Sequence, residues 1–204
     1  TWQAQGADQH VIAFSSSDIE EIEFNGCPIP LVTGPADDND RLTALEAPLL
    51  ARLHVKCHEA GIPLLIEADG AKQRSLKAPA GHEPVIPEWV DSVVVLAGMK
   101  GLGKPLTDDW VHRPELFSDL SGRALGESIR VEDVVKVLVD REGGLKGIPS
   151  SARRYLFLVQ ADDPIEQAQA GRMTRDLIGA YNRVLVGDLD RHYEMGPVFA
   201  AYSQ

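Results

Sequence analysis

With 204 residues, 44% of them apolar, the chain is long enough for one α/β domain with a sizeable core. Acidic residues outnumber basic ones 31 to 20, giving a formal charge of −11. That balance argues against nucleic acid as a partner, because such affinity rests on Lys and Arg set against phosphate. No run approaches the roughly 18 apolar residues of a membrane helix, and the opening TWQAQGADQH lacks the parts of a signal peptide, so a cytoplasmic protein with no membrane partner is expected.

The first quarter reads as β structure. Residues 10–14 are short and apolar, and residues 20–24 alternate before Asn25-Gly26, the strongest short hairpin signal, which predicts residues 29–32 as the return strand. Pro28 and Pro30 remove ladder donors and confine that strand to an edge. The acidic stretch 34–40 is a loop. The apolar pattern over 42–60 predicts a helix that Gly61 ends, and Pro48 belongs in a first turn, so the helix starts near Glu46. His54 and His58 share one face of it, a spacing that can chelate a metal, although surface histidines explain it as well. Cys27 and Cys57 have no paired spacing and read as reduced thiols.

Leu64, Leu65 and Ile66 predict a short buried strand of a parallel sheet that drops abruptly into charge. Glu67 and Asp69 flank Ala68, so in extended chain both carboxylates project to one side at the strand's carboxyl end, where open α/β sheets bind ligands. Gly70 then permits a turn. Such a pattern is how nucleotide hydrolases hold Mg²⁺, through hard carboxylate oxygens; a solvated strand end explains the acid pair alone. The loop that follows carries Lys72, Arg74, Lys77, His82 and Glu83 among Pro79, Pro84 and Pro87, and is too long and too functionalised for a plain connector.

Residues 92–97 form a continuous Val/Leu run and predict another buried strand. In the next loop Gly98, Gly103 and Lys104 match the spacing of a phosphate-binding G-x-x-x-x-G-K, but Pro105 replaces the hydroxyl residue that holds Mg²⁺. In His112-Arg113-Pro114, Arg113 precedes a helix, where it would grip a phosphate or carboxylate bidentately or pair with a nearby acid. Short helices are predicted over 114–120 and 132–139, a strand over 155–159, a helix over 165–181 after Pro164, and a last strand over 183–186. Alternating strand and helix imply a parallel sheet. Asp162 lies just past a strand, where guanine-specific hydrolases place the Asp that reads the base; a helix cap by Asp162 or Asp163 explains the same letters. His10 and His192 have no assignable context.

The blocks EADGAK at 67–72, LKAPAGHEPVIP at 76–87, GLGKPL at 101–106, VHRPELF at 111–117 and SARRYLFLVQADD at 151–163 together resemble the YqeC family, accessory proteins of selenium-dependent molybdenum hydroxylases. The resemblance implies a three-layer, mostly parallel α/β fold similar to the P-loop nucleotide hydrolases, acting in cofactor maturation. As a nucleotide-binding protein it would use Glu67 and Asp69 to organise Mg²⁺ and Lys77 or Lys104 to offset the phosphate charge of GTP or ATP. His82 or His112 would serve proton transfer, and Gly70, Lys72, Glu83 and Arg113 would contact ligand. The resemblance also leads one to expect a glycine-rich loop ending in G-K-T before residue 1; a chain beginning at Thr1 is open to being the remainder of a longer protein that carries it, and only if nothing is missing would its absence from these 204 residues favour binding over hydrolysis. The alternative is a non-catalytic carrier or chaperone, presenting the 72–83 loop to a molybdopterin cofactor, through its pterin phosphate, or to a client molybdenum hydroxylase.

Overall fold

The computed structural model of the chain describes residues 7–24, 29–38, 40–187 and the backbone of 198–203. It divides into two compact units, residues 1–66 and 67–204.

In the first unit, β1 (Gln9–Ile12) pairs in parallel with β2 (Pro30–Thr33), from Gln9 opposite Pro30 to Ile12 opposite Thr33. Between them lies α1 (Ser16–Glu20), started by Asp18, whose Oδ2 accepts the Phe14 and Ser15 N–H groups at 2.8 Å each. This corrects the hairpin expectation. Residues 20–24 form no strand; Ile19 in α1 and Ile22 just past its C-cap Glu21 are both buried in the core. The return strand therefore pairs with β1 instead. Asn25, Gly26, Cys27 and Pro28 lie outside the described residues, as does His192.

Helix α2 (Ala47–Glu59) begins after its N-cap Glu46 with Pro48 in the first turn, and Gly61 takes a left-handed φ of 67° just past its end. Leu53 and Cys57, four apart, bury one face against Ala13, Ile19 and Ile22. Burial raises the Cys57 thiol pKa and keeps it protonated. Residues 64–66 correct a second expectation, since they lie outside any strand. Leu64 packs against this core while Leu65 is 92% exposed.

The second unit holds a four-stranded sheet in the order β4 (Ser92–Gly98), β6 (Arg153–Val159), β7 (Arg183–Gly187) and β8 (Val198–Ser203). The first three are parallel and β8 is antiparallel to β7. Helices α3 (Pro114–Ser121) and α4 (Val131–Val139) lie in the crossover from β4 to β6, and α5 (Pro164–Leu177) in that from β6 to β7. Both crossovers advance across the sheet in one direction, so the right-handed rule puts all three helices on the same face. Leu156, Leu158, Val184 and Val186, fully or almost fully buried, meet Phe117, Val134, Met173 and Leu177 there. At about 25 cal/mol per Å² of apolar area, each such leucine contributes about 2 to 3 kcal/mol. A separate two-stranded parallel sheet, β3 (Leu76–Lys77) with β5 (Val111–His112), had no signal in the sequence. The loop carrying Gly98, Gly103 and Lys104 opens with a 3₁₀ turn, Met99–Gly101.

Candidate functional site

The β3–β5 pairing sets Lys77 opposite His112. Backbone bonds from the Leu76 and Ala78 N–H groups to the Trp110 and His112 carbonyls, both 3.2 Å, hold that register, and Arg113 follows directly. The site hangs from the end of the main sheet, because the Gly98 N–H, at the last residue of β4, donates to the Ser75 carbonyl at 2.7 Å. Arg113 caps α3 with φ 65° and ψ 67°, a left-handed conformation that costs a non-glycine residue about 1 to 3 kcal/mol and collects at functional sites.

Four charged side chains converge at this point. Arg113 forks onto Glu83, Nη1 to Oε2 at 2.6 Å and Nη2 to Oε1 at 2.9 Å. Lys77 Nζ reaches Glu83 Oε2 at 2.8 Å, pairs with Asp69 and donates to the Gly70 carbonyl at 2.7 Å. The side chains of all four are between 13% and 23% exposed, so the cluster is partly desolvated and its formal charges cancel. Glu83 is positioned by a turn, its N–H donating to Ala80, and the chain after it returns through a Val85 N–H bond to Ala68.

The two acids titrate in opposite directions. The Arg113 guanidinium, with Lys77, holds the Glu83 carboxyl far below the usual carboxylate range. Asp69 is raised instead: burial dominates, and the Glu83 charge adds to it against the pull of Lys77. His112 is lowered, by burial first and then by Arg113, Lys77 and Lys72, so it stands as a neutral imidazole at pH 7.

The predicted site residues fall into three groups. Asp69, Gly70, Lys77, Glu83, His112 and Arg113 are brought together. Glu67, Lys72 and His82 border the cluster but are exposed; His82 Nε2 lies 3.6 Å from Glu83 Oε1. Lys104 and Asp162 lie with other partners, Lys104 Nζ 4.7 Å from the centre of the Trp110 ring and Asp162 in an ion pair with Lys100. His54 and His58 do lie side by side along α2, ring centroids 6.4 Å apart with the planes tilted by 47°, but among the described residues no three metal-ligating side chains gather. Sequence reading gave Gln160 no role of its own. It follows β6 with a left-handed φ of 58°, and its buried Oε1 has no hydrogen-bond partner among the described residues. Its one signal was Gly98, where a Cβ would meet that oxygen at 2.3 Å.

Parallel strands joined through helical crossovers, with a partly buried, charge-balanced cluster beside the end of the sheet, define a mixed α/β protein. Among the described residues no helix is long and apolar enough to cross a membrane. The chain belongs to the YqeC protein family, whose model matches residues 3–115 and so contains every member of the cluster. An Escherichia coli (strain K12) protein named "Uncharacterized protein YqeC" is 33% identical over 109 residues, 52% of this chain. The matched stretch spans 43% of that relative's length. No solved structure matches.

Proposed function

We propose that the chain is an accessory protein in the maturation of selenium-dependent molybdenum hydroxylases, and that it binds the phosphates of a nucleotide at the Lys77–Arg113 cluster, beside the end of a mostly parallel sheet as in the P-loop hydrolases, although α3, α4 and α5 cover one face of that sheet and not the two of the expected three-layer arrangement. The observation that carries the reading is the charge-balanced cluster itself. Two cations are held by internal carboxylates on a chain of charge −11, which is how an anion site stays formed without ligand. A phosphate would take the place of one carboxylate on the Arg113 fork. His112, kept neutral, has a ring nitrogen able to accept a proton.

Mg²⁺ can be held by one or two carboxylates together with phosphate oxygens and water. Asp69, which pairs with Lys77 at the cluster, would be one ligand and the exposed Glu67, two residues earlier, the second; the ion would offset phosphate charge.

Titration calorimetry of the 204-residue chain with GTP and with ATP, each with and without Mg²⁺, tests the proposal. Micromolar binding that strengthens with Mg²⁺, is lost in Lys77→Ala and loses its Mg²⁺ dependence in Asp69→Asn is expected. Absence of heat with both nucleotides refutes nucleotide binding and moves support to the pterin-phosphate carrier.

A further inference from the structure

We infer that Lys146 is a positioning residue of the charge cluster: by gripping the Ala80 carbonyl it fixes the turn that aims Glu83 at Arg113 and Lys77. The inference starts from how little else holds that turn. Ala78 is tied to β5 through its N–H bond to His112, and Val85 to Ala68. Between them Gly81 and His82 are exposed, and among the described residues the backbone of 79–84 makes two hydrogen bonds, both at one atom. The Ala80 carbonyl oxygen accepts the Glu83 N–H at 3.0 Å and Lys146 Nζ at 2.9 Å, one partner for each of its lone pairs. The first bond closes the turn on itself. The second ties it to the rest of the unit.

The burial of Lys146 has the same cause. Its side chain is 18% exposed, and an ammonium group so largely withdrawn from water has to recover hydrogen bonds from the protein. Glu142 does little of this, standing 3.4 Å away on a side chain that is 72% exposed. The bond to Ala80 is the contact that accounts for a lysine in this place.

The platform under Lys146 is rigid enough to aim it. Past α4 the chain folds back through Gly143 and Gly144, whose N–H groups donate to the Asp140 and Val137 carbonyls at 3.1 and 2.8 Å. A Cβ on Gly143 would stand 2.1 Å from the Val137 oxygen, and one on Gly144 2.5 Å from that of Leu138, which also accepts the buried Tyr181 hydroxyl at 2.7 Å. The Lys146 N–H then donates to Gly143 at 3.1 Å. Gly147 turns with φ 65° alongside Pro84, the residue after Glu83. This donor is 66 residues from Ala80 and outside the 3–115 stretch that matches the family model, so nothing local to the cluster signals it.

The test reads the Glu83–Arg113 fork itself, by NMR of the Arg113 Nη–H groups in the 204-residue chain at pH 7. No nucleotide is present, so the outcome is independent of the nucleotide proposal. A two-bond fork restrains rotation of the guanidinium. Lys146→Met, which keeps the length of the side chain but not the donor, should speed that rotation by about tenfold or more as the charge-assisted bonds slacken. Lys146→Arg, which keeps donor and charge, and Glu142→Gln, which leaves the bond to Ala80, should keep the wild-type rate. If Lys146→Met lacks the near-ultraviolet circular dichroism of the wild type, Lys146→Gln, with its donor one atom nearer the backbone, is read in its place. Unrestrained rotation in the wild type, an unchanged rate in the donor variant, or a matching loss in Lys146→Arg or Glu142→Gln would overturn the inference.

Discussion

Replacing Glu83 by Gln tests whether the cluster is held together by charge. The Glu83 carboxylate accepts from Arg113 at 2.6 and 2.9 Å and meets Lys77 at 2.8 Å. Glutamine keeps one acceptor oxygen and turns a donor toward a guanidinium that can only donate. Breaking a fully buried pair costs about 3 to 5 kcal/mol, and the side chains here are roughly one-fifth exposed, so a loss of about 2 to 3 kcal/mol is expected at pH 7. The sign with pH is fixed by the depressed carboxyl. Its stabilising effect is full above the ordinary glutamate value of 4.5 and fades as pH falls toward its folded value. Urea denaturation of both proteins at pH 7 and at pH 3.5 should therefore show the gap narrowing in acid. A loss below about 0.5 kcal/mol at pH 7, the level of an ordinary surface substitution, or a gap that widens in acid, refutes the reasoning.

Two further substitutions address the scaffold. Asp163→Ala removes the α5 cap, in which Oδ1 accepts the Ile165 and Glu166 N–H groups at 2.7 and 2.8 Å, and should lower stability by about 1 to 2 kcal/mol in urea denaturation. Gly98→Ala places a methyl 2.9 Å from the Ser75 carbonyl and 2.3 Å from Gln160 Oε1; the amide can rotate away but the carbonyl cannot without loosening β3, so a loss of about 1 to 3 kcal/mol is expected in the same assay.

The legibility of this chain follows the range of the interactions. Elements made by local signals were readable: the Glu46–Pro48 start of α2, the apolar runs of β4, β6 and β7, and the Asp163–Pro164 start of α5 all stand where the letters put them. What failed depended on partners. Residues 64–66 have strand composition but no ladder, and residues 20–24 alternate yet only Glu20 is helical and 22–24 join no strand, because alternation over five residues does not by itself supply a partner. At the site, Asp69, Lys77, Glu83, His112 and Arg113 were all legible as chemical types. Their meeting was not: the Glu83–Arg113 fork joins residues thirty apart through a β3–β5 sheet of two residues a strand, too short to have a pattern.

Strand register also determines how much chain each pairing must close. Tyr155 meets Arg183 across 28 residues in β6 and β7, whereas Ser92 meets Arg153 across 61 in β4 and β6. Since the entropy of closing a loop grows as (3/2)RT ln n, the wider closure is about 0.7 kcal/mol less favourable. Of these two crossovers, closure entropy thus favours β6, α5 and β7 assembling first, with β4 brought to them across the longer loop.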